Sequence, residues 1–176
     1  MNNIQVIIWF FPILFIFHDF EEIIFMQAWI SKNRRYLSER FPELSKKLLP
    51  HFDNITTSSF AFGVAEEFIL ICIITVISYM INSHSLWLDL FIAFTLHLLV
   101  HCLQTLILRK YVPAIGTSII CSPICIYIIG NTVQLFTLRT IIIYSILGFL
   151  IMVVNLAIVH KFMNTFGKWL VQYEHE

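Results

Sequence analysis

A chain of 176 residues that is 59% hydrophobic and 12% charged, with mean hydropathy +0.82, lies outside the soluble globular range and has room for one domain. It reads as an integral membrane protein. Formal net charge is zero and no long basic block occurs, so nothing points to a nucleic-acid partner.

Apolar stretches near 4–30, 59–81, 87–108, 115–134 and 138–160 each reach the roughly 20 residues that a hydrocarbon core of about 30 Å requires. They predict an all-α, polytopic helical bundle of about five transmembrane helices in a single domain, 1–176. The first stretch has no basic segment before it and carries acids within it, so a cleaved signal peptide is not expected. In the polar segment 31–58, the run from Ser38 to Leu49 predicts a short amphipathic helix on the membrane surface, capping the bundle. Gly63 in the second helix would let a neighbour approach closely. The fourth helix is interrupted by Gly116, Pro123 and Gly130, with a kink expected near Pro123. Cys72, Cys102, Cys121 and Cys125 fall in apolar segments without CxxC pairing and read as small buried side chains.

Basic residues set the expected orientation. Lys32, Arg34, Arg35, Arg40, Lys46 and Lys47, then Arg109 and Lys110, then Lys161 and Lys168 fall on one side, and Arg139 alone on the other. The N-terminus is expected outside and the C-terminus in the cytoplasm. Trp9 and Trp87 would then mark the outer interface, Trp29 and Trp169 the inner one.

Within the first helix stands His18-Asp19-Phe20-Glu21-Glu22. An acid near the bilayer centre costs roughly 2.5–3.5 kcal/mol, whereas each large apolar residue returns only about 0.3–0.6. Intramembrane carboxylates therefore signal a functional site with a partner to be found. His18, Glu21 and Glu22 share an arc of roughly 100°, with Asp19 at its edge. The second helix contributes Glu66 and Glu67, and the third His97, His101 and Gln104 on one stripe. At 1.5 Å per residue, Glu22, Glu66 and His101 all lie about 10–12 Å from the cytoplasmic ends of their helices.

Imidazole with carboxylate is the ligand set for zinc, iron or manganese, and helical di-metal bundles use it from facing helices. His18, Glu21, Glu22, Glu66, Glu67, His97 and His101 are therefore the candidate ligands for one or two divalent ions, zinc or iron foremost. Glu22, Glu67 and Gln104 are the candidate catalytic groups. Interhelical Glu–His or Glu–Arg pairing without metal would satisfy the same groups. His51, His84 and His175 read as solvated surface residues, and His160 as interfacial. Tyr144, Ser145, Gly148 and Asn155 form a helix-packing face, Asn155 being able to orient a ligand. Arg109 reads as an interface anchor, with an anionic head group or an acid of the cluster as its other partner.

The motif His-x-x-Glu-Glu at 18 to 22, with His101-Cys102-Leu103-Gln104-Thr105-Leu106 and then Arg109, Tyr111, Pro113 and Thr117, resembles the HXXEE-domain family of small bacterial membrane proteins. Ala114 departs from the glycine expected after Pro113, which bears on the local turn. The resemblance implies a multi-pass protein of the bacterial cell membrane and adds weight to His18, Glu21, Glu22, His101 and Gln104. It brings no activity.

The leading expectation is a membrane-embedded, metal-dependent enzyme, dinuclear by its carboxylate share. It would act on a lipid-like or amphiphilic substrate by hydrolysis, through a metal-bound water of lowered pKa, or by oxidation. The alternatives are a proton- or cation-coupled transporter and a metal-binding accessory membrane protein. A transport path needs polar lining on both sides of the site, and Val6 to Phe17 is almost wholly apolar. Oligomeric state stays open, a homo-oligomer included.

Overall fold

The computed structural model describes residues 3–53 and 55–173, and among these no strand occurs. The protein is an all-α bundle of α1 (Asn3–Ile7), α2 (Phe10–Arg40), α3 (Pro42–Asp53), α4 (Thr57–Ile81), α5 (Ser85–Leu108), α6 (Ile115–Thr132) and α7 (Leu138–Tyr173). Helices α4, α5, α6 with the short turn Val133–Leu135, and α7 are long and apolar enough to cross a membrane, which marks a membrane protein. The five long helices close a ring in the order α2, α4, α7, α5, α6 and back to α2.

Helix α2 wears its apolar side outward. Phe10, Ile13, Phe17, Phe20 and Ile24, spaced alternately by three and four, are exposed, while His18, Asp19 and Glu22 are buried. That inverts the order of a helix on a soluble protein. It suits a lipid surround, where ionisable groups turn to the bundle interior.

The first segment departs from the single helix expected over 4–30. Its start is broken at Ile8 and Trp9, and Pro12 supplies the reason. Proline has no N–H to give the carbonyl four residues back, and its ring crowds that carbonyl. The freed Ile8 oxygen instead accepts the Trp87 indole N–H at 3.0 Å. Trp87 is consequently 0% exposed and stacked on Phe91 at 4.9 Å between ring centroids, so it belongs to the core and not to the outer aromatic belt.

At its other end α2 runs on to Arg40, because side chains hold the polar turns. Arg35 donates to Glu39 one turn on, at 2.7 Å. The Tyr36 hydroxyl donates to the Leu108 carbonyl at 2.8 Å, and Lys110 sits 3.8 Å over the Tyr36 ring. Pro42 then opens α3 at the first helical position, where a missing N–H costs nothing. The amphipathic helix expected over Ser38–Leu49 is displaced, since Ser38–Arg40 belong to α2 and α3 runs from Pro42 to Asp53, tied to α2 by Arg34 and Asp53 at 2.8 Å. Helix α7 likewise continues beyond residue 160 to Tyr173.

Glycines set the approach of α7 on both sides. A Cβ on Gly63 of α4 would stand 2.6 Å from the Met163 sulfur, and one on Gly148 of α7 would stand 2.9 Å from the Asp89 Cβ. Close helix approach at Gly63 and packing along the Gly148 face are what the small residues predict. Cys121 and Cys125 are buried in the core, and Pro123 lies inside α6.

Candidate metal centre

Helices α2 and α5 bring His18, Glu22, His97 and His101 together, one ligand atom from each lying within 4.8 Å of the others. His97 and His101 are one turn apart on α5, and their Nε2 atoms are 3.0 Å apart. Glu22 Oε1 is 2.9 Å from His101 Nε2. An ion with bonds of about 2.0–2.1 Å holds neighbouring ligands about 2.8–3.4 Å apart in octahedral or tetrahedral shells. Both spacings are close to such an edge.

The tautomer of His18 follows from its neighbours. Thr117 Oγ1, on α6, donates to Glu21 Oε2 at 2.8 Å, which leaves its oxygen to accept from His18 Nδ1 at 3.2 Å. With the proton held on Nδ1, Nε2 keeps a lone pair, and it is buried without a hydrogen-bond partner. The His18 ring lies 5.1 Å from that of His101 and 5.3 Å from that of His97. His101 Nδ1 is also buried and unpartnered. Each such nitrogen costs about 1–3 kcal/mol, and a cation on the His18 lone pair would remove the cost at His18.

Glu21, expected as a ligand, stands outside this group. From His18, helical spacing turns Glu21 roughly 60° one way and Glu22 roughly 40° the other, so the adjacent acids face different neighbours. The Glu21 carboxylate accepts from Thr117 N at 2.7 Å, Gly116 N at 3.3 Å, Thr117 Oγ1 at 2.8 Å and Tyr111 Oη at 2.7 Å. It caps α6 from a neighbouring helix, where free N–H groups and the helix dipole favour an anion. A Cβ on Gly116 would stand 3.2 Å from the carboxylate, so glycine keeps that approach open. Burial and the bond to Glu21 push the Tyr111 phenol above its usual value. Ala114, where glycine is expected, makes the turn into α6 at φ 70°, a conformation only glycine adopts without strain.

Glu67, Asp19, Glu22, His97 and Gln104 line a cavity of about 420 Å³. Asp19 is thus a cavity residue and not at the margin of the site. Glu66 does not line it; its Oε2 accepts from Asn155 Nδ2 at 3.4 Å. Neither Glu66 nor Glu67 joins the four-residue group, so the structure gathers four of the seven expected ligands. Gln104 also borders a second cavity of about 350 Å³, walled by Leu44, Leu48 and Leu49 of α3.

His51 and His84 differ from the solvated surface groups expected. His51 Nε2 meets His160 Nδ1 at 3.3 Å, joining α3 to α7. His84 is 8% exposed with Nδ1 2.9 Å from Ser78 Oγ, because it closes the α4–α5 hairpin, and burial lowers its pKa. His175 lies outside the described residues. Arg109 is exposed and ends α5 at φ 50°. Sequence reasoning missed Asp89, which is 1% exposed in α5. Its signal was the one that exposed the α2 acids, a carboxylate inside an apolar run.

The signature described as "Protein of unknown function with HXXEE motif" matches residues 9–128, more than half of the chain. The chain belongs to the HXXEE family. No curated protein and no solved structure matches it. The matched HXXEE region ends inside α6 and contains His18, Glu21, Glu22, His97, His101 and Thr117, while α7 lies beyond it.

Proposed function

We propose that the chain is a metal-dependent enzyme of the bacterial cell membrane that hydrolyses a lipid-like substrate, with His18, Glu22, His97 and His101 holding a zinc or iron ion. The observation that carries this reading is His18, whose proton Thr117 holds on Nδ1 while its buried Nε2 keeps an unused lone pair beside two more imidazoles and a carboxylate. Orientation of a ligand histidine through its other nitrogen is the usual outer-shell arrangement at metal sites. Bound there, the ion supplies a water of lowered pKa.

Glu67 has no hydrogen bond among the described residues and lines the adjoining cavity, so it serves as general base. Gln104, at the junction of the two cavities, orients the substrate. Leu44, Leu48 and Leu49 of the second cavity suit a chain-bearing substrate. With one carboxylate in the four-residue group, a single ion is better supported than the carboxylate-rich pair expected of an oxidase. By the basic-residue rule the N-terminus lies outside and the site sits in the cytoplasmic half.

The test is elemental analysis after chelator-free purification in neutral detergent, followed by reloading with zinc, iron(II) or manganese. About one ion per chain is expected, lost in His101→Ala and Glu22→Ala. Wild-type protein that holds no stoichiometric metal before or after reloading refutes the proposal. For the chemistry, loaded protein incubated with membrane lipid extract should release a product detectable by mass spectrometry, and Glu67→Gln should not.

A further inference from the structure

The cavity beside the metal group carries a charge bias that metal binding does not use. Asp19, Glu22 and Glu67 line it, and among the described residues no lysine or arginine does. Asp19 is 5% exposed, and its Oδ2 is buried without a hydrogen-bond partner. Glu22 belongs to the four-residue group, as does His97, and the other histidine of the lining, His160, meets His51, so Asp19 and Glu67 make no ion pair among the described residues. Phe11, Phe15 and Phe94 also line the cavity, and aromatic faces attract cations. Met26, Phe52 and Gln104 border both this cavity and the mainly apolar one against α3, so the two adjoin.

An anionic head group entering here would face two carboxylates at low dielectric, where like charges repel strongly. A cationic head would find a buried counter-ion. We propose that the site binds a single-chain amphiphile with an ammonium head, Asp19 acting as its counter-ion with Glu67 beside it, and the chain lying in the cavity against α3. This names the substrate class of the enzyme proposed above and rests on that reading for the chemistry, although binding is measurable without it.

The test uses the full chain in maltoside micelles at pH 7 and three probes of equal length: dodecylamine, dodecanol and dodecanoate. Like lysine, the amine is cationic at this pH. Binding is read by native mass spectrometry and by the fluorescence of Trp29, which lines the second cavity. Dodecylamine should bind about tenfold or more tighter than dodecanol, and dodecanoate more weakly than either. Asp19→Asn should abolish the preference while leaving dodecanol binding unchanged, which also reports an intact fold. Glu67→Gln should reduce it and serves in place of Asp19→Asn if that variant does not fold.

Equal affinities for the three probes overturn the proposal, as does a preference that survives in both variants. Metal content is measured on the same samples. If Asp19→Asn loses an ion, Asp19 is a metal ligand and the ammonium assignment falls. If wild type holds no metal yet the amine preference stands, the enzyme reading fails and the binding site survives.

Discussion

Replacing Glu21 by alanine separates two accounts of the motif. The carboxylate accepts four hydrogen bonds, three of them from Gly116 and Thr117 at the start of α6 and one from Tyr111. Losing a helix cap costs about 0.5–2 kcal/mol, and each further bond to a charged acceptor adds about 1.5–3, discounted because the site is part-exposed. A loss of about 2–4 kcal/mol is expected. At about 2–4 °C per kcal/mol for a chain of this size, the melting temperature should fall by roughly 4–16 °C. Glu21 also holds the Thr117 hydroxyl that fixes His18, so metal affinity should fall about 10–100-fold. Thermal melts in detergent and metal titration by competition with a chelator measure the two effects. If Glu21→Ala strips the metal as completely as Glu22→Ala, Glu21 is a direct ligand and the capping argument is wrong. If neither melting nor affinity changes, the cap contributes nothing.

Thr117→Val should weaken metal about 10–100-fold with Thr117→Ser restoring it, since only the hydroxyl sets the His18 tautomer. Gly63→Ala should destabilise by about 1–3 kcal/mol through its contact with the Met163 sulfur, and chemical or thermal melts of Gly63→Ala with Met163→Ala should show less than the sum of the single losses. Burial lowers the pKa of His84, so below about pH 6.5 the unfolded state takes a proton that the folded state resists. Stability should therefore decline as pH falls from 7 toward 5, and a flat His84→Asn melting profile over that range would support His84 as the source.

Much of the site was legible because helical spacing fixes relative direction. His97 and His101 had to share a face, and Glu22 had to sit on one side of His18. What spacing cannot supply is which neighbour occupies each side. Glu21 looked equivalent to Glu22 until the packing set the start of α6 against it and His101 of α5 against Glu22. The same gap hid Trp87, whose burial depends on Pro12 freeing the Ile8 carbonyl on another helix. Residues 31–37 looked like a loop because they are polar, yet their helix is held by Tyr36 and Arg35 through contacts that composition does not encode.

The adjacent acids of the motif answer the energetic problem that α2 poses. Three acids together cost on the order of 8–10 kcal/mol at the bilayer centre by insertion scales, more than a few apolar side chains return. Glu21 is met by the N-terminus of α6, and Glu22 by His101 of α5. Each acid is matched to a different helix, so α2 is stable only when both have packed against it. Asp19 alone lacks a partner on its buried oxygen. With Glu21 and Glu22 matched in this way, the third acid of the motif lines the cavity, where the proposed ammonium head would supply the partner that the helices do not.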